Sequence, residues 1–278
     1  MIHTTRYKIC NAVKIVILWL VAVICLAPFY VAICYAFKSK QDFAKTKLAF
    51  PTKLYLQNFA DAFALKNYFS SVLNSAIVSV FVVILIVACC SSAAYMVTRK
   101  NNKFYNFIYY FFQMVILIPF QTIMFPLYQE LSRAHALNTL FGVIFAELGV
   151  YMGYYVFLYA GFIKGVPVAL EEAAHIDGAG PFRTYFSIVF PLLKPTTATL
   201  VILYALSLWN DYLLPSLILT DKKVYTLPVA MALFQGTYSN QMDLLLAGLV
   251  MSIIPIIILY IALQKYIIAG VVAGAVKS

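Results

Sequence analysis

Ten aspartates and glutamates and three histidines in 278 residues leave few carboxyl and imidazole groups for acid–base chemistry. His3 and His135 stand outside the apolar runs and His175 lies in a polar loop, so no histidine is placed for metal or acid–base chemistry inside a membrane. No nucleophile is spaced with a base. No stretch reads G-x-x-x-x-G-K-[ST], the loop whose backbone N–H groups and lysine hold nucleotide phosphates, and ATP hydrolysis is not expected of this chain. Cys10, Cys25, Cys34, Cys89 and Cys90 lack metal-ligand spacing and lie in or beside apolar runs, as packing residues do. What remains is Glu147 and Asp211 inside apolar runs, and a polar stretch from Glu171 to Pro195, EEAAHIDGAGPFRTYFSIVFPLLKP, wedged between two of them.

The elements that must position these residues are membrane helices. Apolar residues make up 64% of the chain and charged residues 11%, a composition of membrane proteins. A crossing needs about 20 apolar residues, and hydropathy predicts six: Val13 to Phe37, Tyr68 to Val97, Phe107 to Leu127, Leu140 to Ile163, Thr196 to Leu219, and Leu244 to Gln264. The first begins among the basic residues Arg6, Lys8 and Lys14 as a secretory signal would, yet it is longer than the 7 to 15 residues of a signal core, so it is expected to be retained as a span. The expected fold is all-α, a single transmembrane domain over 1–278, because the longest stretch outside the spans, Lys164 to Pro195, is too short to bury its own core.

Between Lys38 and Asn67 a weakly amphipathic stretch, Leu54 to Leu65, could form a surface helix. Pro28, Pro119, Pro126, Pro215 and Pro255 fall inside spans, where they fit either a water-lined pathway or a plain helix bundle. The net charge of +10 is spread over loops at both faces, which points to anionic lipid headgroups and away from nucleic acid. Arginine and lysine only narrowly favour the face that carries the polar loop, so the positive-inside rule leans toward placing that loop in the cytoplasm.

Within the loop, Val168 to Asp177 is helix-forming, and Gly178 stands where a helix ending in a left-handed residue wants glycine. Pro181 suits the first turn of a second short helix, with Pro191 and Pro195 marking its end. Ala173 and Ala174 allow another surface to approach closely, while Glu172 offers a carboxylate and His175 a polar edge. Composition alone is equally consistent with a solvated amphipathic loop.

The spacing separates these readings. Glu172-Ala173-Ala174, three residues, Gly178, nine residues, then Ile188 and Pro191 resembles the E-A-A loop of ATP-binding-cassette (ABC) importer permeases, with Phe190 where that pattern prefers leucine. Six fixed letters at about 6% usage each coincide in a chain this long with odds on the order of 10⁻⁵. The resemblance implies a cytoplasmic coupling-helix loop between spans four and five, with both termini cytoplasmic, in the cell membrane of a bacterium or archaeon. Glu172, Ala173, Ala174, Asp177, Gly178 and Pro191 would couple to an ATPase subunit, Glu172 pairing with one of its basic residues. It also implies a second permease subunit as heterodimer partner, two cytoplasmic ATPase subunits carrying ATP and Mg, and an extracytoplasmic solute-binding protein, with no cofactor on this chain.

Ile176-Asp177-Gly178-Ala179-Gly180, Trp209-Asn210-Asp211-Tyr212 and the ending Ala273 to Ser278 resemble the carbohydrate-type permeases, specifically the smaller subunit of maltose and oligosaccharide importers. By that resemblance Gly274, Lys277 and Ser278 would touch the ATPase; otherwise they are a frayed terminus. Asp211, expected within a span, would face water or a partner. Trp209 could stack on a sugar ring and Asn210 bond its hydroxyls, or the three could seat at the outer interface. Glu147 is expected to hydrogen-bond between helices. A carrier driven by an ion gradient would recruit Glu147 and Asp211 but leaves the E-A-A loop without a role.

Overall fold

In the computed structural model, which describes residues 5–46, 49–64, 67–100, 102–237 and 242–275, every regular element among those residues is a helix. In chain order these are α1 Thr5–Ala36, α2 Lys40–Lys45, α3 Gln57–Ala64, α4 Tyr68–Arg99, α5 Lys103–Ile116, α6 Phe120–Arg133, α7 Leu140–Lys164, α8 Val168–Ile176, α9 Pro181–Leu192, α10 Lys194–Asn210, α11 Leu213–Ile218, α12 Leu227–Thr237 and α13 Met242–Ala275.

Four stretches are long and apolar enough to cross a membrane unbroken: Asn11–Ala36, Tyr68–Arg99, Leu140–Lys164 and Met242–Ala262. The third expected span is broken, and the fifth is entered through a bend. Helices α5 and α6 meet at 106° within the third, and α9 and α10 at 72° just before Thr196, so the described residues hold four continuous spans, or up to six with each bent pair counted as one. The first break has a local cause: Pro119 supplies no N–H and forces Ile118 out of helical geometry, ending α5 at Ile116. The fifth span also stops short of expectation. Helix α10 ends at Asn210, and Asp211 turns extended with ψ 122°, so Asp211 caps a helix end and is not inside a continuous span.

The chain forms two compact units, one running to Tyr68 and including Met231–Ile254, the other comprising Phe69–Ala230 and the segment from Pro255 onward. In the first, Ala36, Ala62 and Ala247 pack together with Phe59, Val250 and Met251 around them. The stretch expected to be helical forms α3, in which Asn58 and Ala62 are buried, so one face is committed to packing. Asn58 donates to the carbonyls of Ala36 at 3.0 Å and Lys38 at 2.8 Å, satisfying acceptors that the end of α1 leaves open.

In the second unit α7 is the central helix, packed on both α4 and α5. Gly153 permits this: a Cβ there would lie 2.7 Å from the carbonyl oxygen of Phe112 and 3.4 Å from Val115 Cβ. Gly153→Ala must push two backbones apart and is expected to cost about 1–3 kcal/mol. Gly149→Ala and Gly161→Ala, whose new methyls meet nothing within 4 Å, are expected to be neutral or slightly stabilising in the same helix. Thermal unfolding of the three variants in one detergent tests the ordering.

At one end of this unit Asn138 sits at φ +57° and its Oδ1 accepts from the Thr220 and Asp221 backbone N–H groups at 2.6 and 2.9 Å. Asn74 and Ser75 hold the following segment by bonds to the Tyr225 carbonyl at 3.0 Å and the Leu227 N–H at 2.8 Å. These bonds fix the connections into and out of α7, α11 and α12.

Candidate functional site

The loop 168–192 is built as a helix, a tight turn and a second helix. Helix α8 closes with Ala179 N–H donating to Ala174 O at 2.9 Å and Gly178 N–H to His175 O at 3.0 Å, the paired bonds of a helix stop whose pivot must be left-handed. Gly178 provides that conformation at φ +79°. Gly180 then caps α9, Pro181 occupies its first turn, and Thr184 Oγ1 donates back to Gly180 O at 3.1 Å. The expected helix–turn–helix is present in each of these parts.

Helix α8 has two distinct faces. Glu171 and Ala174 are buried against the chain, while Glu172, Ala173, His175 and Asp177 are exposed. The two alanines therefore divide their work: Ala174 seats the helix and Ala173 leaves room on its outer surface. Near the turn Ile176 is 87% exposed and Phe182 82% exposed. These apolar side chains flank a polar turn between Asp177 and Arg183, so they stand apart from the lipid-facing surface of the spans.

The seat of the loop lies in residues whose individual roles composition could not assign. Arg99, at the end of α4, donates from Nε to Glu171 Oε1 at 2.7 Å. Its Nη2 donates to the carbonyls of Ile163 at 3.0 Å and Val166 at 2.8 Å, acceptors freed where α7 ends. The hydroxyl of Tyr95 donates to Glu171 Oε2 at 2.9 Å. One guanidinium thus joins α4, the end of α7 and the first turn of α8 through charge-assisted bonds.

A second tie comes from α9. The helix widens into a π-turn at Tyr185–Val189, which turns Tyr185 and Val189 inward. The Tyr185 hydroxyl lies 2.6 Å from Ser91 Oγ, directly after another π-turn, Ile86–Cys90, in α4. Ser91 Oγ also bonds the Val87 carbonyl. The Tyr185 ring packs on Tyr95 at 5.0 Å and on Phe190 at 5.9 Å, which gives Phe190, the departure from the E-A-A pattern, a packing role. Pro191 is half-buried beside the 72° bend into α10. Displacing α8 or α9 must therefore displace α4 and α7.

Of the expected pathway residues, Trp209 borders a cavity of about 310 Å³ walled by apolar side chains such as Val80, Val201 and Ala205. Asn210 is exposed and donates to Leu206 O at 2.8 Å. Asp211 Oδ1 accepts from Leu213 N–H at 3.0 Å. Glu147, 1% exposed, lies beside Asp211, and among the described residues neither of its oxygens nor Asp211 Oδ2 meets a hydrogen-bond partner. The helix–helix hydrogen bond expected of Glu147 is therefore absent among the described residues, where a second carboxyl group is its neighbour. Gly274 lies in the last turn of α13, while Lys277 and Ser278 lie outside the described residues.

Arg99 and Glu171 left only a faint signal: a basic residue ending an apolar span and a second glutamate beside Glu172. Their partnership crosses 72 residues, and no local period reveals it.

The comparisons agree with the geometry. A probable starch degradation products transport system permease protein of Thermoanaerobacterium thermosulfurigenes is 38% identical over 99% of this chain and 98% of its own. The melibiose/raffinose/stachyose import permease protein of Bacillus subtilis is 39% identical over 90% of this chain and 91% of its own. Among solved structures, a bacterial ABC transporter involved in the import of the acidic polysaccharide alginate has a chain that matches with TM-score 0.84 at 21% identity, covering 96% of this chain and 99% of that one. The family model described as binding-protein-dependent transport system inner membrane component matches residues 86–272, a segment that contains the polar loop and all of its seat, and the chain belongs to that family.

Proposed function

We propose that this chain is a membrane-spanning permease subunit of an ATP-driven sugar or oligosaccharide importer, and that the loop 168–192 transmits closure of an ATPase to the spans. The observation that carries the coupling is the two-faced loop: its inner face is bonded to α4 and α7 through Arg99, Glu171, Ser91 and Tyr185, while Glu172, Ala173, Asp177, Ile176 and Phe182 face outward. A load applied to the outer face has a stiff path into the membrane. The carbohydrate assignment is supported by the relatives named above, both described as sugar transport permeases.

In the assembly we propose, the loop faces the cytoplasm, as do both termini, and a second permease subunit completes the membrane part. Two cytoplasmic ATPase subunits bind ATP and Mg. A solute-binding protein delivers sugar from outside, and lipid surrounds the exposed apolar helices. Glu172, Ala173, Asp177 and Gly178 meet the ATPase directly. Ala174 and Pro191 act from within by setting the angle of the two helices. Gly274, Lys277 and Ser278 are assigned to ATPase contact, and Asn210 to solute contact, with Trp209 and Asp211 framing it.

The test is co-purification of this chain with its ATPase, comparing wild type, Glu172→Ala and Gly178→Ala. Gly178→Ala strains the turn by about 1–2 kcal/mol, and its methyl meets no atom of this chain within 4 Å. Both variants are expected to stay folded and to lose coupled uptake, Glu172→Ala through a missing ion pair. Full uptake in both, or uptake without any ATPase, would overturn the coupling reading.

A further inference from the structure

The end of the second unit that seats the loop also gathers cations without matching anions. Lys100 follows Arg99 at the end of α4, Lys103 opens α5, and Lys164 closes α7 directly after Ile163, whose carbonyl accepts from Arg99. All three lysines are exposed. The sequence has no acidic residue between Arg99 and Glu130 and none in α7 after Glu147. Glu171, the carboxylate of the seat, is already held by Arg99 and Tyr95, and among the described residues only Arg99 and Arg133 form ion pairs. Two of the lysines lie over rings instead. Lys100 Nζ is 5.3 Å from the centre of the Tyr105 ring, and Lys164 Nζ is 4.8 Å from that of Tyr109 and donates to its hydroxyl at 3.4 Å. A ring holds an ammonium group in place but brings no countercharge. Tyr105 and Tyr109 are four residues apart on one helix, so the two ammonium groups stand one turn apart along α5.

The same helix turns an apolar strip away from the chain. Phe104, Phe107, Phe111 and Met114 recur at helical spacing, and each is more than half exposed. Phe107 and Phe111 stack with ring centroids 6.4 Å apart. Aromatic side chains beside lysines at the end of a span match both parts of a phospholipid, the acyl chain along the rings and the phosphate at the ammonium groups. A purely apolar partner helix would cover the strip and leave the lysines unanswered. A lipid with no net charge would do the same.

We infer that this end of α5 is a binding site for an anionic phospholipid, with Lys100, Lys103 and Lys164 holding the headgroup phosphate and Phe104, Phe107 and Phe111 carrying an acyl chain. Occupied, the site joins the ends of α4, α5 and α7 beside Arg99 and steadies the seat of the coupling loop. With the loop in the cytoplasm, as proposed above, the lipid belongs to the inner leaflet. The site itself depends neither on that placement nor on which solute is carried.

The experiment is native mass spectrometry of the purified full chain in detergent, titrated with phosphatidylglycerol or with phosphatidylcholine of the same acyl chains. Wild type is expected to retain phosphatidylglycerol selectively. Each lysine is worth about 5-fold in affinity for an anionic lipid. Lys103→Gln, which removes no ion pair or cation–π contact among the described residues, is expected to weaken retention by that factor, and it decides the matter should a triple variant fail to fold. Glutamine at Lys100, Lys103 and Lys164 together is expected to weaken retention about 100-fold and to leave phosphatidylcholine unaffected. Arginine at the same three positions keeps the charge and is expected to keep the selectivity. Lys222→Gln with Lys223→Gln, exposed in the connection before α12, is expected to change nothing. The inference fails if wild type binds both lipids alike, if Lys103→Gln and the triple glutamine variant match wild type, or if the Lys222 and Lys223 pair matters as much as the three lysines. It is also overturned if the triple glutamine variant loses co-purifying ATPase while its phosphatidylglycerol retention stays at the wild-type level, because the lysines are then a protein contact. The readout is lipid and not transport, so the permease reading stands or falls separately.

Discussion

Arg99→Ala is expected to lower the stability of the chain by about 3 kcal/mol, at the lower end for breaking a buried ion pair, and to leave ATP hydrolysis running with little uptake. The substitution removes three bonds at once, to Glu171 Oε1 and to the carbonyls of Ile163 and Val166. It leaves a buried carboxylate held only by Tyr95. The side chains of the pair are 16% and 10% exposed, so water screens them little and the surface-pair discount does not apply. For a chain of this size the loss corresponds to a fall of about 8 °C in the unfolding midpoint.

Two further variants separate charge from geometry. Glu171→Gln keeps an acceptor for both Arg99 and Tyr95 and is expected to cost about half as much. Arg99→Lys keeps the charge but not the planar fork that reaches a carboxylate and two carbonyls together, and is expected to resemble the alanine variant in coupling. Arg99→Ala combined with Glu171→Ala should be less damaging than the sum of the singles, since no charge is then left unpaired. Strict additivity in that cycle, read by thermal unfolding, would show that the pair does not act as a unit.

Ile176→Asp and Phe182→Asp should act in the opposite way, leaving the chain as stable as wild type while each weakens its association with the ATPase about 100-fold. Both side chains are more than four-fifths exposed, and surface substitutions of this kind cost the fold within about 0.5 kcal/mol. In a docked loop the same side chains fill an apolar pocket, and an aspartate there loses burial and must also be desolvated. A penalty of about 3 kcal/mol per site corresponds to roughly 100-fold weaker binding. Titrating purified ATPase against the membrane chain in nanodiscs measures this, with Phe186→Asp, exposed on the same helix, marking how far the docking surface extends. Unchanged affinity in both tip variants would restrict docking to the polar face around Glu172.

Hydropathy located the six apolar stretches, but it could not show that the third is bent or that the helix of the fifth stops at Asn210. Pro119 was visible in the third, and a proline inside an apolar run is compatible with either a kink or a full break until its neighbours are known. The E-A-A spacing placed Glu172 and Gly178 correctly on a helix and at its left-handed stop. It treated Ala173 and Ala174 alike, although they face opposite ways, because a motif records spacing and not which side of a short helix meets its own chain.

The sequence by itself determined an all-helical membrane protein with a helix–glycine–helix loop, because hydropathy, glycine's access to positive φ and proline's missing N–H act within a few residues of one another. Only the tertiary structure decided that Arg99 binds Glu171, that Ser91 meets Tyr185, and that Tyr151 and Tyr155 of α7 pack on Tyr204 of α10. Those partners are brought together by helix packing, in which the contact depends on crossing angle and rotation, and neither quantity is carried by any local pattern of residues.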